Sequence, residues 1–267
     1  MSIVDYISVI LSSLFTSIVF ISFILYSDRK SREPLYMILL ALSSCIFSVC
    51  LVMLIDKIIL PRLEIVTGGV YDYYSFQSIF KTLILALIEE YSKLMVLYIF
   101  ISRNSNFDDI YDGIVYSVLI SLSFAALESI LFAFKETSVI QMQSIGILRG
   151  VTAVPLHLVV GIIMGYFMGL EKFTWGTKKR AFYLICCLIV PTFIHFSYNF
   201  CLSNIFSKSF TNIEFIIMII VFFIPFFIFG YLSIKRAIYL NKKFINNEKY
   251  ENLMTKNEYD EIINNKY

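Results

Sequence analysis

Charge is scarce in this chain, and histidine scarcer. Of 267 residues, 16% are Asp, Glu, Lys or Arg, and only two, His157 and His195, are histidine. Soluble domains carry about 25% charged residues. With 58% hydrophobic residues and a mean hydropathy of +0.78, the composition excludes an ordinary soluble domain and implies a polytopic membrane protein. The five cysteines (Cys45, Cys50, Cys186, Cys187, Cys201) are odd in number and lack CxxC spacing. That argues against a disulfide framework and for buried, inert thiols. The first apolar stretch has no basic region before it and no small-residue cleavage motif, so residues 3–26 read as a span and not a removed signal. No internal repeat is evident, and nothing suggests a nucleic-acid partner.

What is present is apolar length. A spanning helix needs about 20 predominantly apolar residues. Seven segments qualify: 3–26, 34–55, 77–101, 110–134, 144–170, 181–203 and 212–234. The expected fold is an all-α polytopic transmembrane helix bundle of about seven spanning helices. Residues 1–234 would form one membrane-embedded catalytic domain. Residues 235–267 would form a polar tail, either a surface helix or disordered.

Lysine and arginine placement sets orientation. The first, third and fifth loops and the tail hold 15 of them, from Arg29, Lys30 and Arg32 to Lys266; the alternate loops hold 4, Lys57, Arg62, Lys135 and Lys208. The N-terminus is therefore expected outside and the C-terminus in the cytoplasm. The other three, Lys81, Lys93 and Arg149, lie within the apolar spans.

So do both histidines and Glu89, Glu90 and Glu128. A charged group inside a membrane costs about 2.5–3.5 kcal/mol even on the lenient insertion scale. Histidine and carboxylate are the usual materials for binding a metal or activating water. Their confinement to spans points to an enzyme whose site lies within the bilayer. In the third span, Lys93 is four residues from Glu89 and three from Glu90, so either carboxylate can pair with it on one helical face, leaving the other for work. A buried ion pair that only orders helices is the bland alternative. In the fourth span, Ser121, Ala125 and Ser129 form a small-residue face beside Glu128. In the fifth, Arg149, Ala153 and His157 share a face that Gly161, Gly165 and Gly169 continue. The glycines read most simply as a packing seam. Pro155 should bend that helix just before His157. In the sixth, Pro191 should leave a carbonyl unpaired near His195, with Asn199 four residues beyond it on the same side. At 1.5 Å per residue, Glu128 and His195 fall within about 15 Å of the outer surface, with Glu89 and His157 deeper.

Taken in order, Glu89-Glu90-x-x-Lys93, Phe124-Ala125-x-x-Glu128, the His157 segment with its glycines, and His195-x-x-Tyr198-Asn199 resemble the PrsW family of intramembrane proteases, a branch of the group that includes the CAAX prenyl endopeptidases. The match covers residues 85–200. The chain departs from the family pattern at Ser129, where Asn is frequent, at Phe196, where a small residue is frequent, and at Asn199, where Asp is common. The resemblance implies peptide-bond hydrolysis near the membrane surface, in the family the first cut of a single-span anti-sigma factor. It implies Glu89 or Glu90 as general base. It implies His157, His195 and Glu128 as ligands of a divalent metal, zinc by type, or as holders of water. Asn199, with or without His195, would stabilise the oxyanion; Lys93 and Arg149 would support. A metal-free glutamate mechanism is the variant that frees His195. Competing readings are a proton- or ion-coupled transporter, which would show an inverted repeat, a bis-histidine haem protein, which leaves Glu89 and Glu128 without purpose, and a non-enzymatic sensor or scaffold.

Overall fold

In hydrocarbon every backbone N–H and C=O must be satisfied within the protein, so long apolar runs become helices. A computed structural model of the chain bears this out, and describes residues 2–28, 32–67, 76–174, 176–207, 220 and 223–242. It shows α1 (Ile3–Ser27), α2 (Leu35–Thr67), α3 (Phe76–Val96) closed by a π-helical turn (Leu97–Ile101), α4 (Ile110–Ala133), α5 (Val139–Val151), α6 (Ala153–Phe173) and α7 (Thr177–Ser207). A last helix, α8, spans Phe223–Lys242. No strand occurs among the described residues. Six stretches are long and apolar enough to cross a membrane. The remaining expected span is α3 with its π turn, which is long enough but carries Lys81, Glu89, Glu90 and Lys93.

Local sequence explains the starts. Ser2 and Asp5 cap α1 reciprocally, and Asp109 and Asp112 do the same for α4, each satisfying otherwise unpaired N–H groups. Ser138 caps α5. At the opposite end of α1, the buried Asp28 has its carboxyl pushed up to about 7 by burial, with Glu33 adding to the effect. Tyr116 of α4 donates its hydroxyl to Glu33 and ties the first connection to the core.

The fifth span differs from expectation. It is not one helix bent at Pro155 but two, broken at Thr152, whose φ of −121° and ψ of −65° are not helical. Pro155 lies in the first turn of α6, where its missing N–H would have had no intrahelical partner anyway. Arg149 and His157 therefore belong to different helices. Pro191 does not break α7. The carbonyl it frees is that of Cys187, four residues earlier and two turns from His195, so it does not sit beside the histidine. The seventh expected span, 212–234, is described only at 220 and from Phe223, and its helix runs on to Lys242, eight residues into the expected tail. The rest of the tail lies outside the described residues.

α4 and α6 form the centre. Of the apolar window of α4, 72% is buried, against 22% for α1 and α8, so the latter two are peripheral. Glycine permits the central contact. A Cβ on Gly113 would lie 2.5 Å from the Gly165 carbonyl oxygen, and one on Gly169 would lie 2.5 Å from that of Ile110. The glycines after His157 are thus a packing seam, as the sequence suggested. Around it sit Ile114, Val118, Leu122, Leu158 and Ile162.

Gly165→Leu should force α4 and α6 apart. Overpacking a tight core costs about 1–3 kcal/mol or more. Unfolding of purified protein in micelles should show at least that loss. Gly230→Ala should be near neutral, since its nearest neighbour is 3.8 Å away.

Candidate active site

The seam matters because α4 and α6 carry two members of one polar cluster, and α3 and α7 supply the rest. On α3, the side chains of Glu90 and Lys93 are 0% and 1% exposed, and Lys93 Nζ donates to Glu90 Oε1 at 2.7 Å. The same oxygen faces His195 Nδ1 of α7 at 2.7 Å. Because a carboxylate only accepts, Nδ1 carries the proton and Nε2 is left for the pocket. Lys93 Nζ also lies 3.1 Å from His157 Nδ1 of α6. An ammonium only donates, so His157 Nδ1 accepts and its proton is on Nε2. That nitrogen faces Glu128 Oε2 of α4 at 3.2 Å. Arg149 of α5 closes the chain, reaching Glu128 Oε2 at 2.5 Å and the Ser129 hydroxyl at 3.2 Å.

Glu90 is thus neutralised by Lys93, and Glu128 by Arg149. Among the described residues, Glu89 pairs with no lysine or arginine. Its Oε2 lies 3.7 Å from His195 Nε2, has no hydrogen-bond partner and is buried. Of the three glutamates, Glu90 is wholly enclosed, while the side chains of Glu89 and Glu128 are 14% and 16% exposed. Glu89 and Glu128 are thus the two glutamates of the cluster with exposed side-chain surface.

The donor atoms of Glu89, His157 and His195 lie within 4.8 Å of one another. Two imidazole nitrogens and a carboxylate oxygen with room for a fourth ligand are the donor set of catalytic zinc sites. The orphaned Glu89 oxygen is what a cation would satisfy, so these residues fit a divalent metal. Both His157 nitrogens are engaged here, by Lys93 and by Glu128, so ligation would replace one of those bonds. Glu128, expected as a ligand, instead holds His157 and is held by Arg149. Asn199, one turn beyond His195 and half-buried, takes no part in the cluster's hydrogen bonds.

Several contacts were not legible in the sequence. The Lys93 ammonium sits 4.4 Å from the centre of the Phe124 ring, a cation–π contact within a desolvated site. Ser121, read as a small packing residue, donates to the His157 carbonyl at 2.7 Å. Ser92 donates to the Glu89 carbonyl at 2.7 Å and meets Ser48 of α2 at 2.5 Å. No single-position signal marks these serines. Their spacing fits packing equally well.

A model of the family described as PrsW family intramembrane metalloprotease matches residues 33–229. The chain belongs to the PrsW family. It is 30% identical to Protease PrsW of Bacillus subtilis (strain 168) over 196 residues, 73% of this chain and 83% of that one. Protease PrsW of Oceanobacillus iheyensis is 33% identical over 71% of this chain and 80% of its own. That of Clostridioides difficile (strain 630) is 30% identical over 66% and 71%. No solved structure matches. The chain is thus a multi-pass, membrane-embedded protease, and the resemblance carried by its four motifs holds.

The shared ammonium makes a measurable claim. Lys93→Met should strand Glu90 as a buried, unpaired charge and cost about 3–5 kcal/mol. Adding Glu90→Gln should recover much of that loss. A double-mutant cycle on unfolding in micelles checks it, and additive losses would mean the pair is not coupled.

Proposed function

We propose that the chain is a metal-dependent endopeptidase that cuts a single-span membrane protein near the outer surface, as the first cut of an anti-sigma factor in regulated proteolysis. The observation that carries this reading is the isolation of Glu89, an uncommitted carboxylate beside two imidazoles in an otherwise charge-compensated cluster.

Glu89 accepts a proton from the attacking water as its oxygen adds to the scissile carbonyl carbon. It then returns that proton to the departing amine. Glu90 fixes the His195 ring through Nδ1, so that Nε2 stays directed toward Glu89. Glu128 and Lys93 hold His157 from either side, and the one whose bond metal ligation leaves in place keeps its ring oriented. Arg149 keeps Glu128 ionised and in place. Asn199 donates its side-chain amide to the developing oxyanion, the role that family resemblance implies. A divalent cation, zinc by donor type, held by Glu89, His157 and His195 would polarise the carbonyl and acidify the water. A carboxylate has two oxygens, so Glu89 can ligate through one and take the proton on the other.

The basic residues in alternate loops support an outward-facing N-terminus, and the depth of Glu128 and His195 then supports a cut near the outer surface. Hydrolysis needs water, which hydrocarbon excludes. The exposed edges of Glu89 and Glu128 are where water would enter. The glycine seam packs the other half of α6 closed.

The test is cleavage of a single-span, anti-sigma-factor-like substrate in nanodiscs, with the product ends read by mass spectrometry. The expected cut lies within a few residues of the outer membrane surface. Glu89→Gln, which keeps shape but removes both proton acceptance and the carboxylate ligand, should slow it at least about 10²–10⁴-fold, the usual worth of a general base. Near-normal cleavage by Glu89→Gln, or a cut on the cytoplasmic side, would contradict the proposal.

A further inference from the structure

The α3–α7 pair brings Glu89 and Glu90 to His195, yet the two helices do not close along their whole length. Below Glu90 they part around an open groove of about 550 Å³. One wall is Tyr91, Met95, Tyr98 and Ile99; the other includes Leu184 and Leu188 of α7. Tyr91 and Ile99 are 45% and 44% exposed, so the groove opens sideways, toward lipid. Its far end is Arg103, just past the π-helical turn. The Arg103 guanidinium lies 5.4 Å from the Tyr98 ring centre and forms no ion pair among the described residues.

Three properties select the occupant. The first is length. From Tyr91 to Arg103 the strip rises about 18 Å at 1.5 Å per residue, close to the hydrocarbon depth of one leaflet, about 15 Å. The second is lining. The walls are aliphatic and aromatic side chains throughout, with Arg103 the one charged residue among them, which suits an acyl chain capped by a headgroup. The third is charge. The apolar strip ends on the exposed Arg103, and the α6–α7 connection, tied to Asn104 by Lys172 at 3.0 Å, leads into exposed Lys178 and Lys179. Clustered cations at the membrane surface attract anionic headgroups.

We propose that this groove is a binding site for an anionic phospholipid of the leaflet at whose surface Arg103 lies. One acyl chain lies between α3 and α7, and the phosphate sits on Arg103. Bound there, the chain fills the seam directly beneath the catalytic helices. It sets their spacing at the level of Glu90 and His195 and blocks water from reaching the cluster along that side.

The full chain in nanodiscs of mixed phosphatidylglycerol and phosphatidylcholine, each in turn carrying a photoactivatable acyl chain, tests this. After illumination, phosphatidylglycerol cross-links should concentrate on peptides covering Tyr91–Arg103 and Leu184–Ile189. Phosphatidylcholine should label them several-fold less. Arg103→Glu should lower the phosphatidylglycerol preference about fivefold or more, the worth of one basic contact at the surface. Leu188→Trp, which fills the groove, should remove labelling there by either lipid. Arg103 is exposed, so its variant tests binding without disturbing the core. Labelling spread evenly over α1 and α2, equal labelling by both lipids, or groove labelling unchanged in both variants would overturn the site. Loss of the label on adding a single-span substrate would also overturn it, because the groove would then be a substrate dock.

Discussion

One ion pair sets the terms for the rest of this bundle. Glu90 and Lys93 sit 2.7 Å apart on α3 with essentially no exposure. Neither charge is tolerable in hydrocarbon alone, and as a pair they still need their remaining hydrogen-bonding capacity filled. The structure fills it from other helices: His195 from α7 and His157 from α6. The charged face of α3 is thereby enclosed, by the same histidines to which the proposed function gives the chemistry.

The neutral helices do their part by close approach. Gly113, Gly165 and Gly169 let α4 and α6 touch backbone to backbone. That contact holds Glu128 and His157 at hydrogen-bond distance, and the break at Thr152 swings Arg149 onto Glu128 from α5. Two carboxylates are compensated by cations and one is left over. In the proposed function Glu89 works, while Glu90 and Glu128 position the imidazoles.

Much of this was legible in the sequence, for a physical reason. Intramembrane ionisable groups are expensive, so the confinement of Glu89, Glu90, Glu128, His157 and His195 to apolar runs marked them before any fold was known. The glycine seam was readable from its spacing of four. Partner choice was not. Lys93 stands at favourable helical spacing from both Glu89 and Glu90, and only the placement of α6 and α7 around α3 decides for Glu90. The Arg149–Glu128 pair joins different helices 21 residues apart and has no local signature. Proline is the visible breaker in this stretch, yet Pro155 lies in a first helical turn, where it breaks nothing, and the break falls at Thr152. Ser92 and Ser121 look like packing residues and serve as donors.

If Lys93 and Arg149 neutralise Glu90 and Glu128, the proposed metal-ligating set is Glu89, His157 and His195 alone. Zinc content of purified, folded protein tests it most directly, measured by elemental analysis in the wild type and in single variants. Stoichiometric metal is expected in the wild type, with its loss in Glu89→Ala, His157→Ala and His195→Ala and its retention in Glu90→Gln. No metal in active wild-type protein, or metal retained in His195→Ala while Glu90→Gln loses it, would rule out this ligand set.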